Sequence, residues 1–556
     1  MRNITSFVFV GPTHGDQRRE KALWVAFIWA VLVVFLATQH VVWRDEVRAL
    51  SIALQGDDLF AMLRGLHGEG HPAVWYLMLR GAHELAESPL VLPAVSVAVA
   101  LAAAALLAWR SPFAWPFVAL LLLGRPSLYE YSVSARNYGI SMLLMFAFAA
   151  LYRRHRDRGV VLGVVLLLLA NCNVHSVLLG GAFMLFWLID IAGDKAAWQA
   201  GAWRSFVLNA VILCVGAVVC AATVYPPFND AAVQSGGRSH LEFATLARSV
   251  LLPASSFNEI AAYNAWRKAL QSFSMWQEPW TALPDVLMSA LLFGCSLGLV
   301  KRPAALLVTW VALLLLSLFF VVIYQGFYRH QALWVTFVVS MYWIAGRDDK
   351  LRSTTPALNT LRTAGLAMLA ALLFLQVLLG LHNVANVALD RKPESRSRDV
   401  ARLIARTPEL KHATIMADPD YLVEALPYYL PNAIYLPREE RFGPYTKFTR
   451  QARVSQSLQD LLDDARRLRE STRQPVVILL GERLDASKPA RVVKEGYNWQ
   501  LSITPEEVQG FLASTRRLER YPPACCTDES FDVYVCGRCG RVELFVDGIG
   551  EEFRPQ

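Results

Sequence analysis

Long apolar segments separated by short polar connections make up most of the first 385 residues of the chain. Their lengths approach the ~20 residues that an α-helix needs to cross the hydrocarbon core of a bilayer. Eleven such segments are predicted as spans, at residues 22–42, 90–109, 113–130, 137–152, 159–171, 176–192, 205–223, 285–300, 304–324, 331–346 and 363–384. The pattern predicts a polytopic α-helical membrane domain at residues 22–385, with about eleven transmembrane helices, after a polar N-terminal segment at residues 1–21.

Basic residues in the connections indicate which side of the membrane each loop faces. With a cytoplasmic N-terminus, Lys and Arg collect in the inner connections, as the positive-inside rule requires. Those connections are residues 153–158 (RRHRDR), 194–204, 301–302 and 346–352. The outer side then holds a first loop at 43–89, a second loop at 225–284, and everything after residue 385. One alternative stays open, in which the short spans around residues 171–176 form a single broken element and reverse the sidedness downstream.

The pattern changes after a charged run at residues 389–402. The segments ATIMAD and PVVILLG (475–481) have the apolar character of buried strands, while residues 457–471 and 504–518 have helical periodicity and helix start signals. Residues 390–556 are therefore predicted to form a soluble α/β domain outside the membrane.

Composition agrees with a membrane protein. The chain is 55% hydrophobic and only 18% charged, well below the roughly 25% charged residues of soluble domains. The net charge of +8 is explained by the basic inner connections, so nucleic acid is not predicted as a partner. Residues 1–21 lack a signal-peptide cleavage site, so the first span is expected to stay as an anchor.

Eight cysteines fall into two groups. Cys172, Cys214, Cys220 and Cys295 lie in or beside predicted spans, where a small buried apolar residue is the expected role. The other four are Cys525, Cys526, Cys536 and Cys539. Outside the cytoplasm disulfides are favoured for them, with zinc binding as the alternative, and neither role is catalytic.

Ionisable residues at the outer membrane edge are candidates for function, because exposing them to lipid is costly. Asp45 and Glu46 follow the first span directly in VVWRDEVRAL. They are either interfacial charges paired with Arg44 and Arg48 or parts of a site. His71 follows a glycine-rich turn and precedes Pro72, where a helix cap is the alternative.

Two short outer turns contain arginines that the positive-inside rule does not predict. Arg136 lies in YEYSVSARNYGISML, and Arg329 and His330 lie in YQGFYRHQALW. Either arginine could form an ion pair with Asp45 or Glu46, or could bind an anion.

Two weaker candidates complete the outer side. His175 lies with Asn171 and Asn173 in the outer turn between the fifth and sixth spans, where a structural histidine is the commoner role. Residues 226–240 contain glycines and Arg238 and are interpreted as a loop over the cavity. One acidic pair and several cations from separate connections suit transfer from a phosphate-linked donor. The carboxylate would take a proton from the nucleophile, and the cations would stabilise the leaving phosphate.

Four sequence motifs on the predicted outer side, taken in their order along the chain, resemble those of class C (GT-C) glycosyltransferases that use polyprenyl-phosphate sugars. The resemblance is to the protein O-mannosyltransferase and lipid A aminoarabinose transferase group. It covers about 385 residues and rests on the acidic pair after the first span, GHPAVWYLMLR, SARNYGISMLL and the YRH turn. The Trp-Trp-Asp motif of oligosaccharyltransferases and the Arg-Tyr-Leu-x-Pro-like turn of the aminoarabinose enzymes are absent, so the acceptor stays open.

The resemblance implies a site and a location. Asp45 would be the general base, supported by Glu46, and Arg136, Arg329 and His330 would contact the donor phosphate. The substrate pocket would include His71, Tyr138, His175 and Tyr328. The chain would lie in the bacterial inner membrane with its N-terminus cytoplasmic and its C-terminal domain periplasmic. A glycan, a lipid or a protein would be the acceptor.

No cofactor is predicted, and a divalent metal ion that bridges donor and carboxylate stays open, because no further acidic ligands can be assigned. Two other functions are compatible with a protein that has many membrane spans. A transporter or flippase of a lipid-linked or anionic substrate would place its site near the bilayer midplane between repeated halves. A sensor or assembly protein would use the outer domain to bind a partner, and Asp45 would then be unimportant.

Overall fold

A computed structural model describes residues 2–9, 15–66, 69–199, 201–224, 242–260, 283–346, 355–388, 393–449, 451–494, 499–524 and 529–536. The chain folds into two compact units, Met1–Glu394 and Ser395–Gln556.

Within the described residues, the regular elements of the first unit are helices and short helical turns. Its helices are α1 (Arg2–Val8), α2 (Gly15–Gln39), α3 (Arg44–Ala53), α4 (Leu59–Arg64), α5 (Val74–Ala86), α6 (Val91–Arg110), α7 (Trp115–Leu123), α8 (Tyr138–His155), α9 (Val161–Ala170), α10 (Val174–Ala192), α11 (Lys195–Gln199), α12 (Ala202–Val224), α13 (Phe243–Leu251), α14 (Leu283–Gly294), α15 (Pro303–Val322), α16 (Tyr328–Gly346) and α17 (Pro356–Ala388). A π-helical turn covers Pro126–Glu130, and short 3₁₀ turns cover Pro253–Ser255 and Leu297–Leu299.

Six of these helices are long and apolar enough to cross a membrane, among the described residues. They are Gln17–Gln39, Val91–Arg110, Val174–Ala192, Ala202–Val224, Pro303–Val322 and Pro356–Asn386. The predicted polytopic helical fold is confirmed. The other predicted spans correspond to α7, α8, α9, α14 and α16, which are shorter or more polar than a full apolar crossing.

Local sequence explains one break within a predicted span and one separation between two neighbouring spans. Helix α7 ends before Gly124, and the π-helical turn begins at Pro126, whose ring cannot continue a helix from the preceding turn. Helices α9 and α10 are separate and packed together. Asn173 begins α10 by accepting the Ser176 backbone N–H at 2.9 Å.

Helices α8, α10 and α16 connect two ends of the first unit. Their first residues meet where Tyr138, His175 and His330 lie close together, and we call this the Asp45 end after the neighbouring start of α3. Phe183 of α10 joins the three helices midway, with ring centroids 4.3 Å from Phe148 and 4.6 Å from Phe337. With 18 or 19 residues each, the helices place their last turns about 27 Å away.

The second unit contains the predicted α/β domain. Its helices are α18 (Ser397–Arg406), α19 (Leu458–Thr472) and α20 (Pro505–Ser514), with 3₁₀ turns at Pro408–Leu410, Asp420–Val423, Leu426–Tyr428 and Pro437–Glu439. Its strands are β1 (Thr414–Asp418), β2 (Tyr435–Leu436), β3 (Arg441–Phe442), β4 (Ser455–Ser457), β5 (Val476–Leu480), β6 (Arg491–Lys494), β7 (Gln500–Ile503), β8 (Thr515–Tyr521) and β9 (Phe531–Cys536).

A four-stranded sheet in the order β1-β5-β9-β8 forms the centre of this unit. Strands β1 and β5 are parallel and fully buried, which confirms both predicted apolar strands. Strands β4, β7 and β6 form a second, three-stranded sheet. The helix predicted at 504–518 ends earlier, at Ser514, because the following residues pair with β9 as strand β8. Of the four C-terminal cysteines only Cys536, at the end of β9, is among the described residues, so their pairing stays a prediction.

Candidate active site

Glu46 fixes the start of α3. It is the third residue of that helix, fully buried, and its Oε2 accepts the Trp43 backbone N–H at 3.0 Å. This is the reciprocal half of an N-terminal capping arrangement. The other oxygen, Oε1, accepts the Ala135 backbone N–H at 2.5 Å. The carboxylate therefore joins the start of α3 to the turn that precedes α8.

His40 contacts the same carboxylate from the end of α2. Its Nε2 lies 2.9 Å from Glu46 Oε2, and its Nδ1 lies 3.3 Å from Glu394 Oε2 and 2.9 Å from the Tyr129 hydroxyl. Burial opposes protonation of the imidazole, but the charges of Glu46 and Glu394 outweigh it and raise the pKa of His40 to about 10. A protonated His40 donates to one carboxylate from each ring nitrogen.

Asp45 points away from this buried network. Its side chain is 36% exposed, and Oδ2 lies 2.8 Å from Arg136 Nη1. Burial acts against ionisation, but the positive charges of Arg136, Arg44 and Arg329 outweigh it and lower the pKa of Asp45 to about 2. Asp45 is therefore an ionised carboxylate beside three cations, and it is open to solvent.

Arg136 joins Asp45 to two polar rings. Its Nη2 lies 3.0 Å from His71 Nε2, and its charge also acts on the Tyr138 hydroxyl. Burial, together with the charge of Arg136, lowers the pKa of His71 to about 3, so this ring is neutral. Because Nε2 of a neutral His71 accepts from the guanidinium, its proton lies on Nδ1, a buried atom with no partner among the described residues.

The tautomer of His330 follows from its contacts. Nδ1 accepts the Phe327 backbone N–H at 2.9 Å, so the neutral ring carries its proton on Nε2. That Nε2–H donates to the Tyr138 oxygen at 2.7 Å. Since the Tyr138 oxygen accepts from His330, its own O–H is directed toward another acceptor. His330 thus orients Tyr138.

Arg329 is held at the site by contacts that leave its charge unneutralised. The Tyr131 hydroxyl donates to the Arg329 carbonyl at 2.7 Å, and the guanidinium lies 5.5 Å from the centroid of the Trp43 ring. Within the described part of the chain, no carboxylate forms a salt bridge with it, although its field reaches Asp45. Such a cation is suited to an anionic ligand.

His175 lies beside His330, with ring centroids 4.8 Å apart, and packs against Phe319 and Phe320. It is 6% exposed, and neither ring nitrogen has a hydrogen-bond partner among the described residues. Buried polar groups are normally satisfied, so these nitrogens require water or a ligand.

The structure brings together most of the residues singled out in the sequence. Asp45, His71, Arg136, Tyr138, His175, Arg329 and His330 form one cluster at the Asp45 end. Tyr328 lies apart from them, because its hydroxyl donates to Gln376 and its ring stacks 4.1 Å below Arg125. The loop at 226–240 with Arg238 lies outside the described residues.

Several residues of this region were missed in the sequence. His40 lies near the end of the first predicted span, and Glu394 is one charge in a charged run. Gln331 is buried in α16 and holds the segment after α13 by accepting the backbone N–H groups of Glu259 and Ile260. No local pattern marks these three side chains, because each also contacts a residue that is distant in sequence.

No group of three or more His, Cys, Asp or Glu side chains that could hold a metal ion occurs in the part of the chain that the structure describes. Asp45 is the acidic side chain of the cluster that is open to solvent, and Glu46 uses both oxygens on protein donors. The metal question raised by the sequence stays open.

No protein-family model and no curated protein sequence matches this chain. Two solved structures of ArnT from Cupriavidus metallidurans are similar to it, one bound to undecaprenyl phosphate and one in the apo state. The bound structure is 14% identical to this chain with a TM-score of 0.43, and the alignment covers 86% of this chain and 96% of the ArnT chain. The apo structure is 14% identical with a TM-score of 0.44 and covers 92% and 98%. The roles proposed for individual residues of the site rest on their own contacts.

Replacing Glu46 by alanine is expected to destabilise the first unit by about 3–5 kcal/mol, the usual cost of removing one partner of a buried charged network. Two backbone N–H groups and protonated His40 would lose their acceptor. Unfolding of the purified protein in detergent measures this. The matched variant Glu84→Ala, whose carboxylate is 68% exposed beside Arg80, should change stability by less than about 1 kcal/mol; equal effects would contradict the structural role of Glu46.

Stability should fall as the pH rises from about 7 to 10. His40 has a folded-state pKa raised above its unfolded value, so its contribution is complete below about pH 6.5 and is lost as the pH rises through 10. Thermal unfolding of wild type and His40→Gln across this range checks the sign. The wild-type Tm should fall with pH more steeply than that of the variant, and parallel curves would show that His40 does not contribute.

Proposed function

We propose that this protein is a membrane glycosyltransferase that moves a sugar from a polyprenyl-phosphate donor to an acceptor at the outer face of the bacterial inner membrane. The observation that supports this most strongly is the juxtaposition of Asp45, ion-paired with Arg136, and Arg329, whose charge has no described carboxylate partner. A solvent-open carboxylate beside such a cation has the parts needed for a base and for an anionic leaving group.

The donor phosphate would bind between Arg136 and Arg329. Both guanidinium groups act on Asp45 through their fields, so a phosphodiester placed between them would be within reach of both charges. Arginine forms charge-assisted, bidentate hydrogen bonds to phosphate oxygens. During transfer the bond between the sugar carbon and the phosphate oxygen breaks, and these cations stabilise the polyprenyl phosphate that leaves.

Asp45 would accept the proton of the acceptor hydroxyl. A carboxylate with a pKa near 2 is a weak base, because the ideal pKa of a general base lies near the working pH. An anionic donor competes with Asp45 for Arg136 and neutralises part of the positive field. Donor binding would therefore raise the basicity of Asp45 only when a substrate is in place.

The sugar would be bound by polar atoms that lack protein partners. The Nδ1–H of His71 and both nitrogens of His175 have no described partner. The Tyr138 hydroxyl retains its proton for an outside acceptor. Sugar hydroxyls donate and accept hydrogen bonds, so they match this mixture of donors and acceptors. Glu46 and His330 would act by positioning Asp45 and Tyr138, and the role of Tyr328 would be confined to packing.

The placement of the site favours transfer over transport. The side chains of the cluster come from the first residues of α3, α8, α10 and α16, at one end of the first unit. A transporter site is expected near the bilayer midplane. With the basic connections on the cytoplasmic side, the Asp45 end would face outward and the second unit would be periplasmic.

The test is a transfer assay on the full-length protein in detergent. A panel of radiolabelled polyprenyl-phosphate pentoses and hexoses is mixed with envelope glycans, lipids and proteins as acceptors. We expect sugar to leave one donor class with release of polyprenyl phosphate. Absence of transfer with every donor, combined with uptake of the intact donor into proteoliposomes, would instead support a flippase.

The pH profile should differ between the free and the donor-bound protein. The pKa of Asp45 is near 2 in the free protein, so kcat/KM for the donor should show no acid limb above about pH 4. Donor binding raises this pKa, so the acid limb of kcat should lie at higher pH. Initial rates at low and saturating donor measure both profiles. Coincident acid limbs would contradict the competition for Arg136.

A further inference from the structure

A second polar cavity lies at the opposite end of α8, α10 and α16, about 27 Å along these helices from their first residues. Its volume is about 840 Å³, which lies within the usual range for small-molecule sites. The last turns of the three helices, the connection before α15, Phe9 and the first part of α17 line it. No residue of this cavity takes part in the cluster around Asp45.

The lining is predominantly basic. Three carboxylates belong to it, from Asp157, Asp190 and Asp194. The six basic side chains are Arg153, Arg156, Lys195, Lys301, Arg302 and Arg362. The lining thus has an excess of three positive charges.

Asp190 forms hydrogen bonds with several side chains that line this cavity. Its carboxylate is 11% exposed and accepts from the Tyr152 hydroxyl at 2.9 Å, from Arg156 Nη1 at 2.8 Å and from Arg302 Nη1 at 3.0 Å. Arg156 is further held by Asp194 at 2.6 Å. These side chains therefore form a fixed hydrogen-bonded network in which two guanidinium groups have set positions, and Lys301 and Arg362 add charge around it.

We propose that this cavity binds a phosphate-bearing anion. Preorganised arginines with an excess of positive charge in a concave site match the geometry and charge of phosphate oxygens. The anion is either the headgroup of an anionic phospholipid or a soluble pyrophosphate-like ion. Basic pockets between transmembrane helices on the cytoplasmic side are a known form of headgroup site. With the Asp45 end outward, this cavity faces the cytoplasm.

Basic residues at the cytoplasmic end of spans are ordinary, so a control must separate a cavity site from a general surface field. Arg154 and Arg158 lie in the same connection as Arg153 but outside the cavity lining. The test pair is Lys301→Gln with Arg362→Gln, which removes two charges from the lining and leaves the Asp190 network intact. The control pair, Arg154→Gln with Arg158→Gln, removes the same charge from outside the cavity.

The experiment uses full-length protein in lipid nanodiscs. Retention of phosphatidylglycerol is measured by native mass spectrometry, and pyrophosphate binding by the Tm shift in phosphatidylcholine nanodiscs. Each basic residue near an anionic headgroup is worth about fivefold in affinity, so the test pair should weaken binding by roughly twenty-fivefold and the control pair by less than about twofold. Phosphatidylglycerol retention alone identifies a lipid headgroup as the ligand, and a pyrophosphate shift identifies a free anion.

Three outcomes would overturn the proposal: binding of neither probe to wild type, equal losses in the test and control pairs, or no loss in the test pair. Lys301→Arg with Arg362→Lys keeps the charges and should bind within about threefold of wild type. If the test pair fails to fold, Lys301→Gln alone should weaken binding about fivefold, and an unchanged affinity would reject the site. Binding here is measured without sugar transfer, so its failure leaves the proposed activity unaffected.

Discussion

Replacing Asp45 by asparagine is expected to lower kcat for sugar transfer by a factor of about 10² to 10⁴, the usual contribution of a general base. Asparagine has the same shape, and its Oδ1 can still accept from Arg136, so the fold and the donor site should remain. Donor KM should change by less than about tenfold, because the carboxylate is not a phosphate ligand. Steady-state transfer rates at several donor concentrations separate the two parameters.

The matched variant is Asp57→Asn, which changes an exposed carboxylate of the same loop. Its kcat should remain within about twofold of wild type, since surface charges far from the reacting atoms have small effects. Wild-type kcat in Asp45→Asn would remove the proposed base. An equal loss in both variants would indicate an effect on the loop as a whole.

Replacing Arg329 by glutamine should raise the donor KM by about 10-fold to 100-fold. Hydrogen bonds to charged groups contribute about 1.5–3 kcal/mol, and glutamine cannot supply the charge. The stack on Trp43 and the carbonyl contact with Tyr131 involve no ion pair, so the loss should come from the ligand and not from unfolding. Donor titrations at fixed acceptor concentration measure it.

Arg64→Gln provides the control for Arg329→Gln, because Arg64 is an exposed arginine of the first loop whose Nε donates to the Phe60 carbonyl. Its donor KM should stay within about twofold of wild type. Arg329→Lys keeps the charge but loses the planar fork and should fall between wild type and glutamine. A donor KM that is unchanged in Arg329→Gln would exclude this arginine from the phosphate site.

The sequence marked the residues of the candidate site, but it did not predict most of the contacts between them. Asp45 was marked by its place directly after a span, and Arg136 and Arg329 by their presence in turns where the positive-inside rule predicts almost no basic residue. Those topological arguments need only the linear pattern. The ion pair between Arg136 and Asp45 then agrees with one of the two partners considered for these arginines.

Other contacts could not be predicted, because they depend on packing between distant segments. Glu46 is adjacent to Asp45, yet successive helical residues point about 100° apart, so one carboxylate faces the core and the other the cavity. The same rotation separates Tyr328, which faces Gln376, from Arg329. His40 and Glu394 are 354 residues apart but meet at one hydrogen-bonded position.

The second unit shows the same limit on a smaller scale. Helix α20 was predicted with its Thr504 start signal, but its C-terminal end was placed too far along the chain. The residues that follow Ser514 form strand β8 because they pair with the edge of β9 in the central sheet. The helical periodicity of residues 504–518 contains no information about β9. Pairing with β9 therefore overrides the helical preference of the residues after Ser514.

Equilibrium binding of radiolabelled polyprenyl phosphate to full-length protein in detergent tests the central claim most directly, because it requires neither the sugar nor the acceptor. The double variant Arg136→Gln with Arg329→Gln should bind about 100-fold more weakly than wild type, since two charge-assisted contacts are lost. The charge-matched control Arg154→Gln with Arg158→Gln, at the opposite end of α8, should bind within about twofold of wild type. Unchanged binding by the Arg136 and Arg329 double variant, or an equal loss in the control, would contradict a donor phosphate site at the Asp45 end.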